Sequence, residues 1–183
     1  MKRKLHHNLV SWLVVGNLSL FAVLYLRHLQ GEDPVSIALV LVGIVIGAIL
    51  PFFDHFIHFY FVSPHEATSQ RFKVKLKSRK FIDALSLVKA TSDERESRVF
   101  HNLTFLVTAL LLMVFVVTST RNLFGWSLVL SLWFHLVSSQ TIDMMHRKNI
   151  NSWISPFHHS VSPKNQKLVL VFQWFIFLAA TLL

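Results

Sequence analysis

The sequence predicts an all-α fold, namely a polytopic transmembrane helical bundle of four to five spans. Of the 183 residues, 53% are apolar and 15% are charged, whereas soluble domains carry about 25% charged residues. The chain also contains five long stretches without Asp, Glu, Lys or Arg, and its basic residues are shared unequally between the connecting segments. Intrinsic disorder is excluded because it requires low hydrophobicity.

The five uncharged stretches are residues 8–26, 34–53, 99–120, 122–142 and 168–183. A helix needs about 20 apolar residues to cross a hydrocarbon core about 30 Å thick. The first four stretches are therefore predicted to span the membrane. The fifth is shorter and is predicted to be either a short span or a helix lying in the interface. No small-residue cleavage site follows the first stretch, which is therefore predicted to be a retained anchor rather than a signal peptide.

Two glycines in the second stretch predict close helix packing. Gly43 and Gly47 form a small-xxx-small pair, which allows another backbone to approach closely. The alternative is that they reflect only the general frequency of glycine in membrane helices.

The distribution of charge predicts the orientation of this single membrane domain, residues 1–183. Sixteen of the 18 Lys and Arg residues precede residue 8 or lie within 54–98 and 143–167, and the other two are Arg27 and Arg121. By the positive-inside rule, the N-terminus is predicted to be cytoplasmic. The net charge of +9 then indicates orientation and contact with anionic lipid, and we expect no nucleic-acid partner.

The inner polar segment, residues 63–98, contains the strongest basic cluster. Ser63 and Pro64 predict a helix start, as N-cap and first helical residue. Residues 71–80 contain six basic side chains and no acid. Their alternation with apolar residues resembles a strand, but no partner strand is evident, so we predict an interfacial segment on anionic headgroups. Protein partners within the membrane remain an open alternative.

Histidines and carboxylates supply the candidate chemistry, because the chain has no cysteine and so no disulfide, thiolate ligand or cysteine nucleophile. Ten of the 11 histidines lie on the predicted inner side. Asp54 and His58 are four residues apart and share a helical face. His101 lies just inside the third stretch. Imidazole and carboxylate ligands suit a divalent metal such as Zn or Mn.

The fourth stretch carries a polar stripe formed by His135, Ser139, Asp143 and His146. We expect this stripe to face the bundle interior, because polar groups facing lipid are costly. Several alternatives stay open. Asp54 lies in an aromatic belt where polar tips simply reach water, and Asp143 has Arg147 four residues on as an ion-pair partner. Haem ligation or proton relay through His101 and His135 is a further class.

Three short motifs in order resemble those of the inner-membrane family of metal-dependent hydrolases. That family has a Leu-Pro-Asp-x-Asp-His stretch, a later Thr-His-Ser motif and then His-x-x-x-Asp. The corresponding residues here are Leu50-Pro51-Phe52-Phe53-Asp54-His55, Phe100-His101-Asn102 and His135-Leu136-Val137-Ser138-Ser139. The resemblance covers about residues 40–157. It implies an inner-membrane location and a metal site with Asp54, His101 and His135 as ligands. His58, from its spacing to Asp54, is a further predicted ligand, and Glu96 and Asp143 are each predicted as an additional ligand or general base.

The sequence departs from the family at two carboxylate positions. Phe52 replaces the first acid and Ser139 replaces the acid of the third motif, with Asp143 one helical turn later. Fewer anionic ligands compensate less of a metal ion's charge. Two functions are therefore predicted side by side: a hydrolase acting on a phosphoester or lipid, and a catalytically degenerate relative that serves as a structural or assembly subunit of a membrane complex.

Overall fold

The computed structural model describes residues 2–80, 83–84, 87, 102–147, 150–154 and 161–183. The side chains of residues 2–10, 55, 58, 146–147, 152 and 154 lie outside this description. The structure is helical, and the described residues contain no strand. The chain divides into two compact units, one formed by Met1–Pro51 with Asn102–Leu183 and the other by Phe52–His101.

The first unit contains six α-helices, counted over its described residues. They are α1 (Lys2–Leu24), α2 (Pro34–Ile49), α5 (Leu103–Ser119), α6 (Leu123–Arg147), α7 (Asn151–Ile154) and α8 (Pro163–Leu182). A π-helical turn, Tyr25–Leu29, extends α1, and a 3-10 turn, Leu50–Phe52, follows α2. Helix α6 is central and packs against α1, α2, α5 and α8.

Local sequence signals set the starts of three of these helices. Asp33 caps α2, Asn102 caps α5 and Ser162 caps α8, each accepting a hydrogen bond from a backbone N–H in the first turn. Pro34 and Pro163 occupy the first helical position, where the missing N–H costs nothing. Helix α8 therefore begins five residues before the predicted 168–183 stretch, and it includes two lysines.

Among the described residues, three helical segments are long and apolar enough to cross a membrane by length and composition: Ser11–Leu29, Pro34–Phe52 and Pro163–Leu182. Helix α5 is apolar but has 17 residues. The prediction of a helical membrane protein is confirmed at this level.

The glycine pair of α2 lies on the α2–α6 contact. A Cβ atom on Gly43 would overlap the Ser127 hydroxyl and lie 2.7 Å from the Phe124 carbonyl oxygen. A Cβ atom on Gly47 would overlap the Leu128 carbonyl. The absence of side chains at these two positions is what lets the two backbones approach, as the small-xxx-small spacing predicts.

The second unit contains α3 (Phe53–Ile57), a π-helical turn (His58–Val62) and α4 (Ala67–Lys77). The predicted helix start at Ser63–Pro64 is wrong, because α4 begins at Ala67 after a turn in which the Glu66 N–H donates to the Ser63 carbonyl. The strand-like alternation of residues 71–80 does not form a strand, since residues up to Lys77 are α-helical.

Candidate functional site

The candidate site begins with a polar stripe on α6, whose members recur every four residues, so that each lies next to the following one on adjacent turns of the helix. Its members are Ser127, Ser131, His135, Ser139 and Asp143, of which the last three belong to the stripe predicted from the sequence. The first four are buried and Asp143 is half-buried. The prediction that this face points into the protein is confirmed for His135 and Ser139. The side chain of His146 lies outside the described residues.

Ser131 joins α6 to two neighbouring helices. Its hydroxyl lies 2.6 Å from the Asn17 side-chain oxygen on α1 and 2.8 Å from the Ile44 carbonyl oxygen on α2. The Asn17 amide nitrogen donates to the Leu13 carbonyl at 2.8 Å, which fixes the orientation of the Asn17 side chain. These contacts give the buried Ser131 hydroxyl and the buried Asn17 amide hydrogen-bond partners, which polar groups in an apolar environment need.

His135 lies one turn further along the same face and is 3% exposed. Its Nδ1 is 2.6 Å from the carbonyl oxygen of Ala48 on α2. A carbonyl oxygen can only accept, so Nδ1 carries the proton of this bond. In the neutral ring, Nε2 then carries the lone pair. Metal-binding histidines commonly have this arrangement, in which one ring N–H donates to a carbonyl and the other nitrogen is the ligand.

Asp54 lies in α3 of the second unit and is 2% exposed. The alternative interpretation, in which the Asp54 carboxyl group reaches water from an aromatic belt, is therefore wrong. A buried carboxylate is costly unless it is paired, hydrogen-bonded or bound to a cation. Phe52, at the position of the family's first acid, is 41% exposed.

Asp143 lies at the cytoplasmic end of the stripe in the predicted topology. Its Oδ2 accepts a hydrogen bond of 2.9 Å from the indole N–H of Trp153 on the short helix α7. Trp153 is itself buried. The carboxylate of Asp143 is thus oriented by an aromatic donor from another element, while the predicted alternative partner Arg147 has no described side chain.

Three predicted site residues cannot be placed. Glu96 and His101 lie outside the described residues, and of His58 only the backbone, in the π-helical turn, is described. Within the part of the chain that the structure does describe, no group of three or more metal-binding side chains is found. The ligand set therefore remains a prediction from the sequence.

Several buried polar residues of the first unit were not predicted from the sequence, and Asn17 and Gln140 are two of them. Asn17 and Gln140 both interrupt apolar stretches, and that interruption was the available signal. Gln140 is fully buried, and neither atom of its side-chain amide has a hydrogen-bond partner within the described residues. Such an amide forfeits about 1–3 kcal/mol of hydration that no bond replaces. In contrast, both polar atoms of the Asn17 side chain have partners: its nitrogen donates to the Leu13 carbonyl and its oxygen lies 2.6 Å from the Ser131 hydroxyl.

Comparison with other proteins adds no assignment: no family model, no curated protein and no solved structure matches this chain.

Proposed function

We propose that this chain is a multi-pass inner-membrane protein in which His135 ligates a divalent cation, Zn or Mn, and that it hydrolyses a phosphoester or lipid substrate at the cytoplasmic leaflet. The observation that carries the proposal is the Nδ1 contact of His135 with the Ala48 carbonyl. This contact orients a buried imidazole with Nε2 as its metal-binding atom. The bound ion would supply Lewis-acid polarisation of a phosphoryl or carbonyl oxygen.

The remaining residues of the proposal come from the sequence. Asp54, His58 and His101 are the further proposed ligands, and Glu96 and Asp143 the groups that accept or donate a proton. The burial of Asp54 supports a role in which its charge is compensated. The hydrogen bond from Trp153 supports a fixed orientation for Asp143, which a general base needs because geometry precedes pKa in proton transfer.

The topology belongs to the same proposal. Four to five spans with the N-terminus in the cytoplasm place the histidine-rich ends of the helices at the inner leaflet. The support is the division of basic residues, sixteen on the inner side and two on the outer. A substrate with an ester or phosphoester group at that leaflet would reach the site without crossing the hydrocarbon core.

One substitution at position 135, compared with a control at position 127, separates the ligand role of His135 from its packing role. His135→Asn keeps a nitrogen donor at the place of Nδ1, and so keeps the bond to Ala48, but removes Nε2. Ser127→Ala, two turns earlier on the same face, is the matched control. In lipid nanodiscs supplied with Zn or Mn, we expect His135→Asn to abolish hydrolysis of phosphoester and phospholipid substrates while Ser127→Ala retains it. Full hydrolysis by His135→Asn would refute the proposal.

A second function is favoured by another consequence of these contacts: the candidate chemical groups also join helices to one another. His135 joins α6 to α2, and Asp143 joins α6 to α7. Interhelical hydrogen bonds of this kind hold membrane bundles together. In this case the protein is a structural or assembly subunit that has lost its metal site, in agreement with the missing carboxylates at Phe52 and Ser139.

His135→Asn, together with His135→Ala, distinguishes this second function from the first. A purely structural histidine predicts that His135→Ala weakens the fold, that His135→Asn restores it, and that neither changes metal content. Retained assembly together with lost metal in His135→Asn would exclude the structural function. The measurements are the midpoint of unfolding in detergent and elemental analysis of the same samples.

A further inference from the structure

An aromatic cluster fixes which side of α4 faces inward in the second unit. The rings of Phe59 and Phe72 are stacked with centroids 4.3 Å apart, and Phe56 meets Phe72 edge to face at 5.6 Å. Phe59, Phe72 and Ala84 are all buried. Because Phe72 points into this cluster, the opposite side of α4 points outward.

The outward side of α4 carries an apolar residue between two cations. Arg71, Val74 and Lys77 follow one another at three-residue spacing, and all three are exposed, Val74 to 63%. Arg79 and Lys80, just beyond the end of the helix, are exposed as well. From Ala67 to Lys80 the sequence contains six basic residues and no acid.

The other two lysines of α4 are engaged within the unit. The ammonium of Lys73 lies 5.2 Å from the centre of the Tyr60 ring and donates to the Pro64 carbonyl at 3.3 Å. The ammonium of Lys75 donates to the Asp83 carbonyl at 3.3 Å. The six cations are thus divided into two that hold the unit together and four that face outward.

We propose that the outward face of α4, formed by Arg71, Val74 and Lys77, docks on the surface of an anionic phospholipid bilayer. Val74 enters the boundary between headgroups and acyl chains, while the two flanking cations contact lipid phosphates. Long basic side chains suit this arrangement because their aliphatic stems lie along apolar surface while the charge reaches outward. The proposal does not depend on the hydrolase function.

Charge complementarity and tethering both favour a bilayer over other occupants. Four outward cations without an acid in the segment match the negative potential of anionic headgroups. The described part of the same chain has three helices long and apolar enough to cross a membrane, and such helices would hold α4 near a bilayer at high effective concentration. A nucleic acid or an acidic protein would have to compete with that surface.

The test uses the absence of cysteine in the chain. A single Val74→Cys substitution allows a spin label to be attached there alone, in the full-length protein in nanodiscs. We expect the label to be accessible to oxygen and protected from a water-soluble nickel reagent in discs containing phosphatidylglycerol. In pure phosphatidylcholine discs we expect it to be exposed to the nickel reagent. Added salt should release it, because salt screens surface charge.

Charge variants complete the experiment. Arg71→Gln with Lys77→Gln should shift the equilibrium of the label toward water by about 25-fold, at roughly fivefold per cation. Lys164→Gln with Lys167→Gln removes the same charge from exposed positions of α8 and should leave the label buried. The proposal is overturned by equal burial of the label in both lipids, by a water-exposed label in both, or by equal effects of the two charge pairs.

Discussion

Gly47→Ala tests the close contact of α2 and α6. A Cβ at this position would overlap the Leu128 carbonyl and lie 2.9 Å from both the Leu132 nitrogen and the Ser131 Cβ. Two of these neighbours are backbone atoms of a helix and cannot rotate away. The helices must therefore move apart to accept one methyl group.

The expected cost has two parts. Overpacking of a well-packed contact costs about 1–3 kcal/mol, and a gap of 0.5–1 Å forfeits roughly a quarter to a half of the dispersion energy of each contact pair. The hydrogen bonds from Ser131 to Ile44 and from His135 to Ala48 lie on the same seam and lengthen with it. We expect Gly47→Ala to lower the free energy of unfolding by about 2–3 kcal/mol.

Gly125→Ala is the matched control, because the nearest atom to its added methyl is a side-chain carbon of Val116 at 3.3 Å. We expect this variant to change the free energy of unfolding by no more than about 0.5 kcal/mol. The assay is reversible unfolding in mixed micelles with increasing SDS, followed by tryptophan fluorescence. Equal stabilities of Gly47→Ala and Gly125→Ala would refute the assignment of the glycine pair to helix packing.

Three further predictions concern capping and polar packing. Hydrogen bonds from the Ser36 hydroxyl and amide hold the pKa of Asp33 below its ordinary value of 3.8. The stability that this cap contributes is thus present above that value and lost as pH falls below it, and Asp33→Asn should remove that acid dependence from the unfolding midpoint. Ser131→Ala should lower the free energy of unfolding by about 1 kcal/mol, and a double-mutant cycle with Asn17→Leu should show coupling between the two sites. Arg79 has a φ of 57°, in the left-handed region that favours glycine. Arg79→Gly should relieve about 1 kcal/mol of backbone strain and so slow amide hydrogen exchange at the end of α4. Arg79→Ala should not slow this exchange.

The sequence predicted the helical class and the helix contact at Gly43 and Gly47, because apolar length and small-residue spacing are local signals. It misplaced helix ends, and α8 is the clearest case. Reading between charged residues began this stretch at 168, but Ser162 and Pro163 start the helix and Lys164 and Lys167 lie within it. Lysines near the end of a membrane helix are tolerated because their ammonium groups reach the interface.

For the candidate site, residue type and spacing identified the buried groups Asp54 and His135. They could not identify the partner of His135, the Ala48 carbonyl, or the partner of Asp143, the Trp153 indole, because both partners belong to other elements of the fold. A backbone carbonyl has no sequence signature at all. Long-range pairing of this kind follows from helix packing, which local patterns do not specify.

Elemental analysis of the purified protein tests the central claim most directly. After purification from medium containing Zn and Mn, the unaltered protein should carry about one divalent ion per chain. The His135→Asn variant, which keeps the bond to Ala48, should carry far less at the same folded yield. Metal-free unaltered protein, or equal metal content in the two proteins, would contradict the assignment of His135 as a ligand.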